Sequence, residues 1–380
     1  MDQLASYNTE SAQGQDSLMD IHTLVRPGLT EMFVTAGSQN GNPYGIFADA
    51  LKVIQENNAT VVSQHVFAPI GTNDAGRSAL AQAAENCDWP VTWIDSGHKQ
   101  GSHLAGTQFY AVIGTDVDRI EDGGRIVAST FEDADARYCH LGDMRATDTS
   151  ETRSDQTQRT FDLMETALDK TGMDFSNVIR TWIYLDELLD WYDPFNVVRT
   201  KFFDARGVFD RLVPASTGIS GANPYGAAMM ASALAVAPKS GEFSVQTVDS
   251  PLQCPAPAYG SSFSRGVEFG TPDCRRLSIS GTASIAPGGE TVYLDDIDAQ
   301  IKLTFEVVKA ILDSRKMDWG NVSKAMAYLK DADYITALQQ YCSANDVEQI
   351  PFVITENHVC RHDLLFEMEL DAVAVDTPMD

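Results

Sequence analysis

MDFSNVIRTWIYLDE, residues 173–187, recurs as MDWGNVSKAMAYLKD, residues 317–331. The same shift of 144 residues matches Gln156 with Gln300, Phe161 with Phe305 and Leu168 with Leu312, so the register extends well beyond the quoted stretch. Two copies of one folding unit explain this most economically. Each copy reads as two strands, a long helix, a strand ending near Tyr184 or Tyr328, a second helix and two closing strands. GRIVAST and RYCHLGD precede a helix around 154–170; RRLSISGTASI and ETVYLDD precede a helix over 298–314. That order predicts α+β domains, mixed sheets with both helices packed on one face.

Upstream of the copies, residues 21–118 read as an additional α/β segment. EMFVTAG (31–37) has strand character, YGIFADALKVIQENN (44–58) has helical apolar spacing, and TVVSQHVFAP, GRSALAQAAENC, PVTWID and TQFYAVIG continue the alternation. The turn GSQNGNPYG (37–45) lacks the G-x-G-x-x-G and G-K-[ST] chemistry of a phosphate cradle and reads as an ordinary strand-to-helix connection. Residues 1–20 are polar and acidic and are expected to form a loose tail. The expected units are therefore 21–118, 119–240, a Pro/Ser/Gly-rich linker over 241–261, and 262–375.

Composition narrows the partners. The 380-residue chain carries 54 acidic and 27 basic side chains, a formal charge of −27. Such a field repels phosphate backbones and anionic lipid, which argues against nucleic acid and membrane partners. No apolar run approaches membrane-spanning length. The six cysteines show no C-x-x-C spacing, which fits a reducing, cytoplasmic setting and indicates neither a zinc site nor a disulfide scaffold. His358, Cys360 and His362 alternate, but their face continues as Leu364, Phe366 and Met368, so they read as core or edge residues; no metal and no cofactor is expected.

HVCRHDLLFEMELDAVAV (358–375) alternates apolar Leu364, Phe366, Met368 and Leu370 with Arg361, Glu367, Glu369 and Asp371, the pattern of a strand with one core face. Arg361, Glu367 and Glu369 would then share the other face, which is either solvent or a cleft.

The run SISGTASI, then Gln300, MDWGNV, YLKD and the terminal LLFEMELDA, resembles the RidA/YjgF/L-PSP superfamily over both copies, about two thirds of the chain. The resemblance implies a chorismate-mutase-like fold that commonly trimerises. RidA enamine/imine deaminases carry an arginine just after a proline before their final strands. Here VPASTGISG (213–221) has Ser216 in that place and IPFVITENHVC (350–360) has Phe352 or Val353, which weakens a deaminase reading. PASTG (214–218), AYGSSFSRG (258–266), SGTAS (280–284) and VCRHDLLFE (359–367) instead resemble the chorismatases, tandem members of that superfamily.

That resemblance implies hydrolysis of an enolpyruvyl ether with release of pyruvate. Protonating the vinyl carbon needs an acid that keeps its proton near neutral pH, and a poorly solvated or crowded glutamate does so. Glu367 is the expected acid, and Glu369 either holds it protonated or is simply a neighbour. The substrate implied is a small anionic metabolite. Arg265 and Tyr259 are implied as its carboxylate and hydroxyl partners; Arg361 either joins them or pairs with Asp363 or Glu369. Ser280, Gly281, Thr282 and Ala283 would form a tight wall, with Gly281 permitting close approach. The family also implies Cys360 near the substrate, although strict alternation would turn it away from Glu367. A noncatalytic small-molecule binder stays open as an alternative. Fusing the repeats makes either a monomer with internal pseudo-symmetry or a homotrimer the expected assembly.

Overall fold

The computed structural model describes residues 5–38, 44–84, 86–97 and 104–375. The first unit contains β1 (Ser6–Gln13), β2 (Ser17–Arg26), β3 (Leu29–Ser38), α1 (Gly45–Glu56), β4 (Thr60–Phe67), α2 (Asn73–Ala84), β5 (Val91–Ile94) and β6 (Gly106–Ile113). The second contains β7 (Asp118–Asp122), β8 (Arg125–Glu132), β9 (Ala136–Met144), α3 (Arg153–Asp169), β10 (Val178–Leu185), α4 (Leu188–Ala205), β11 (Ala215–Ser220) and β12 (Met229–Pro238). The third contains β13 (Ser244–Val248), β14 (Gly266–Thr271), β15 (Cys274–Ala283), α5 (Ile297–Ser314), β16 (Val322–Leu329), α6 (Ile335–Ala344), β17 (Phe352–Glu356) and β18 (Phe366–Val375).

All three units share one topology. In each six-stranded sheet the order is first, second, third, sixth, fourth, fifth, with only the fourth and fifth strands parallel. Each also shifts register at the same place on its fourth strand: between Val61 and Ser63, Val178 and Arg180, and Val322 and Lys324. The N-terminal segment is thus a third copy of the fold, although it carries none of the repeat's motifs.

Those motifs have a local cause. In both tandem copies the aspartate of M-D-x-x-N caps a short 3-10 turn while the asparagine accepts from that aspartate's backbone N–H, Asp174 with Asn177 and Asp318 with Asn321. Asn321 also donates to Val373 O at 2.9 Å, tying the turn to β18. The repeated glutamines brace the last strand: Gln156 accepts from Ala228 N–H at 2.8 Å and Gln300 from Leu365 N–H at 2.9 Å.

Several expectations need correcting. Residues 6–20, read as a loose tail, form β1 and the start of β2; β1 is an edge strand exposed along most of its length, so it shows no buried face for a pattern to reveal. The stretch read as a linker contains the edge strand β13. ETVYLDD is a loop, and the second strand of that unit is β14 instead. The C-terminal strand begins only at Phe366, residues 357–365 being loop.

Helices and sheet bury an apolar core within each unit, as Phe161, Phe175 and Phe202 do in the second and Phe305, Ile311 and Phe366 in the third. The opposite sheet faces pack on one another in a shared core that includes Val62, Trp182, Tyr184, Val267 and Tyr328. Asn357 joins all three units, donating to Asp95 O at 3.0 Å and Ser220 O at 2.8 Å. Among the described residues, no helix is long and apolar enough to cross a membrane.

Candidate active site

Between the second and third units lies a cleft of about 580 Å³, counting the space open to solvent. Glu367, Cys360, Arg361, Arg265, Gly281 and Ala283 line it, bringing six of the residues singled out in the sequence to one place. Tyr192, Arg199, Ser216, Gly218, Ser261 and Phe263 also line it, with Ile285 and Leu364 as apolar filling.

Glu367 is held by β18, whose Phe366, Met368 and Leu370 enter the helix-facing core and so turn Glu367 and Glu369 to the other side. Gln300 fixes the approach to that strand, since its amide also donates to Asp363 O at 2.9 Å. Glu367 is 5 % exposed, and among the described residues its carboxyl makes no hydrogen bond. Burial, reinforced by the Glu369 carboxylate, pushes its pKa up to about 8 against the opposing pull of Arg180 and Arg265.

Glu369 does not line the cleft. It lies behind Glu367, where Arg180 Nη2 donates to it at 2.5 Å, Tyr328 Oη at 3.3 Å, and Thr217 Oγ1 completes the set. Thr217 Oγ1 in turn accepts from Arg180 at 2.8 Å and from Gly281 N–H at 3.0 Å. The two adjacent carboxyls therefore meet opposite surroundings: one saturated with donors, the other with none.

Gly281 sits in a bulge. β15 pairs Ile279 with Leu370 and Thr282 with Met368, so Ser280 and Gly281 together oppose Glu369. A Cβ on Gly281 would collide with Glu367 Oε1 and stand 2.9 Å from its Cδ, so this position admits no side chain while Glu367 keeps its place. Ser280 and Thr282 are fully buried behind the wall: Ser280 Oγ accepts from Ser216 N–H at 2.8 Å and donates to Ser264 O at 2.5 Å, and Thr282 Oγ1 donates to Ser280 O. The Ser280 hydroxyl thus ties β15 to β11 of the second unit and the Thr282 hydroxyl turns back on β15 itself, so of these four residues Gly281 and Ala283 line the cleft.

Cys360 and Arg361 reach the cleft from the loop, so strict alternation does not apply and the conflict of parity disappears. Burial, with Glu367 second, pushes the Cys360 thiol up to about 12, leaving it neutral. Among the described residues, Arg361 donates to Gly289 O at 2.8 Å and Thr291 Oγ1 at 3.3 Å, and to neither Asp363 nor Glu369. Arg265, 3 % exposed, places Nε and Nη2 on Cys254 O at 3.0 and 2.9 Å. Tyr259 ends a short turn at Ala256–Tyr259, and its side chain lies outside the described residues.

The residues that sequence reasoning missed come from the second unit. α4 breaks at Trp191, which lets Pro194 occupy the first turn of the following piece, where a missing N–H costs nothing. Tyr192 and Arg199, two turns apart on that helix, then face the cleft together. Arg180 carried one signal: an arginine amid apolar residues in a strand, at the place of Lys324 in the other copy. Its pairing with Glu369 across the unit boundary had none. Among the described residues, no group of three or more His, Cys, Asp or Glu side chains is placed to hold a metal.

No protein-family model matches the chain. A curated chorismatase from Streptomyces rapamycinicus is 25 % identical over 300 residues, covering 72 % of this chain and 78 % of its own length. A crystal structure of a chorismatase is 17 % identical, with a TM-score of 0.61 over 82 % of this chain and 93 % of its own. RidA from an Antarctic Psychrobacter is 22 % identical and covers 34 % of this chain and 99 % of its own, with a TM-score of 0.29. The chain, three units of one topology in tandem, is similar to the chorismatases in sequence and in fold.

Proposed function

We propose that the cleft hydrolyses the enolpyruvyl ether of chorismate or a closely related metabolite, with Glu367 as the acid. The observation that carries this reading is a buried carboxyl with no hydrogen-bond partner among the described residues, lifted to about 8, in a cleft walled also by three arginines. Glu367 delivers its proton to the terminal vinyl carbon, and the ether oxygen shares the resulting positive charge as an oxocarbenium ion. Water adds to the adjacent carbon, the one bonded to the ether oxygen, and loses a proton, and the hemiketal collapses to pyruvate and a ring alcohol. The Glu367 carboxylate left behind takes up a proton, so the acid is restored.

Arg265, Arg361 and Arg199 offer cations to the substrate's two carboxylates, a local exception in a chain of charge −27. Cys360 acts as a neutral thiol beside the reacting carbon and shapes which nucleophile reaches it. RidA-type deamination is less well supported, because Ser216 stands on the cleft wall where that chemistry needs an arginine.

Purified protein is incubated with chorismate and pyruvate is followed through lactate dehydrogenase, beside Glu367→Gln. Glutamine keeps the shape but has no acid proton, and a fall of about 10²–10⁴-fold in kcat is expected. Wild-type turnover undiminished in the variant refutes the assignment of the acid; no turnover by folded wild type refutes the activity.

A further inference from the structure

The three sheets also surround a central chamber, apart from the cleft, of about 780 Å³ counting the space open to solvent. Strands of all three units wall it, and much of that wall is aromatic: the Tyr110 ring stacks on His140 with centroids 4.6 Å apart, and Trp182 stands on another side. Polar groups reach into this apolar setting with their bonding capacity unspent.

Lys324 holds its ammonium 4.3 Å from the centre of the Trp182 ring and 4.0 Å from Asp371 Oδ2, and makes no hydrogen bond among the described residues. Arg276 commits Nε and Nη2 to Glu31, while its Nη1 is buried without a partner. Glu31 cannot serve either cation further, since Arg26 and Tyr110 occupy its remaining lone pairs at 2.7 and 2.8 Å. Two acceptors are also orphaned, Gln108 Oε1 and Asp371 Oδ1. Buried groups are left unpaired rarely, and several around one chamber mark a place for a molecule with matching groups. His65 and His140 do not compete as cations: burial, with the charge of Lys324, holds both well below the usual range, His140 at about 3.

We propose that this chamber is a second ligand site, taking a small hydroxylated ring carboxylate whose carboxylate meets Lys324 and Arg276 and whose hydroxyl donates to Gln108 or Asp371. A bare inorganic anion would leave the acceptors unpaired and the aromatic walls uncovered; an unsubstituted ring would leave the cations unanswered. The ring alcohol released by the proposed cleft reaction belongs to this class, so the site would sense product. The inference rests on the chamber's lining and stands without turnover in the cleft.

The probe is 3-hydroxybenzoate, titrated calorimetrically into the full chain, into Lys324→Met, and into the cleft variant Arg265→Ala. Affinity is expected to fall at least about tenfold in Lys324→Met, from loss of a charge-assisted contact, and to hold in Arg265→Ala. The reverse pattern, or no binding to wild type at millimolar probe, overturns the proposal. If both variants weaken or Lys324→Met fails to fold, the wild-type imidazole resonances of His65 and His140 decide. Their shift with the calorimetric midpoint supports the chamber, and their standing still overturns it.

Discussion

Replacing Glu367 by glutamine should stabilise this protein, and by an amount that depends on pH in a calculable way. The wild-type carboxyl has a folded pKa of about 8 against an ordinary value of 4.5. Because the folded value is raised, the folded state keeps a proton that the unfolded chain gives up. Its penalty is absent below 4.5, grows as pH rises through the window from 4.5 to 8, and is complete above it. At about 1.4 kcal/mol per pH unit, the wild type forfeits roughly 3 kcal/mol at pH 7 and roughly 4 kcal/mol at pH 8. Glutamine does not titrate, so the variant escapes this term, while every other group cancels in the difference. The assay is urea unfolding of both proteins at pH 5, 7 and 8, read as the change in midpoint at constant slope. A stability gap that widens in favour of the variant from pH 5 to 8 is expected, alongside its loss of pyruvate release. A gap independent of pH would refute the claim that Glu367 is held protonated, and with it the reason for choosing it as the acid.

Two further outcomes follow from the same geometry. Glu369→Gln removes the negative neighbour while Arg180 stays, so the Glu367 pKa falls; two charges about 7 Å apart at an effective dielectric of 20 interact by ~2 kcal/mol, which moves the alkaline limb of kcat/KM down by about 1–2 pH units. An unmoved or raised limb in the pH–rate profile would count against the arrangement. Gly281→Ala drives a methyl into the Glu367 carboxyl and should cost about 1–3 kcal/mol or displace that side chain, with a large loss of kcat; full activity and an unchanged melting temperature would show the bulge to be looser than described.

What was legible in the sequence was whatever is periodic or repeated. The shift of 144 residues located two units, because the same turn and brace, Asp318 with Asn321 and Gln300, must be built twice. Alternation placed Phe366, Met368 and Leu370 inward and Glu367 with Glu369 opposite them. The N-terminal unit escaped because its topology is set by pairing and burial and needs none of the repeat's motifs, and β1 because an edge strand exposed to water has no face to mark. Arg180, Thr217, Tyr192 and Arg199 escaped for another reason: they meet Glu367 and Glu369 across a boundary between units, and such a meeting leaves no local pattern.

The register of the three sheets makes Glu367, Met230 and Gly106 counterparts, facing Tyr328, Tyr184 and Phe67. An assembly of three identical chains would have to install the same residue at all three places and bear the cost of a desolvated acid three times over. A continuous chain breaks that bond: Met230 can serve as filling and Gly106 as clearance for Val353 while a single position carries the proposed acid. Covalent fusion thus turns symmetry from an obligation into a starting point, and leaves the other boundaries free to hold the scaffold together.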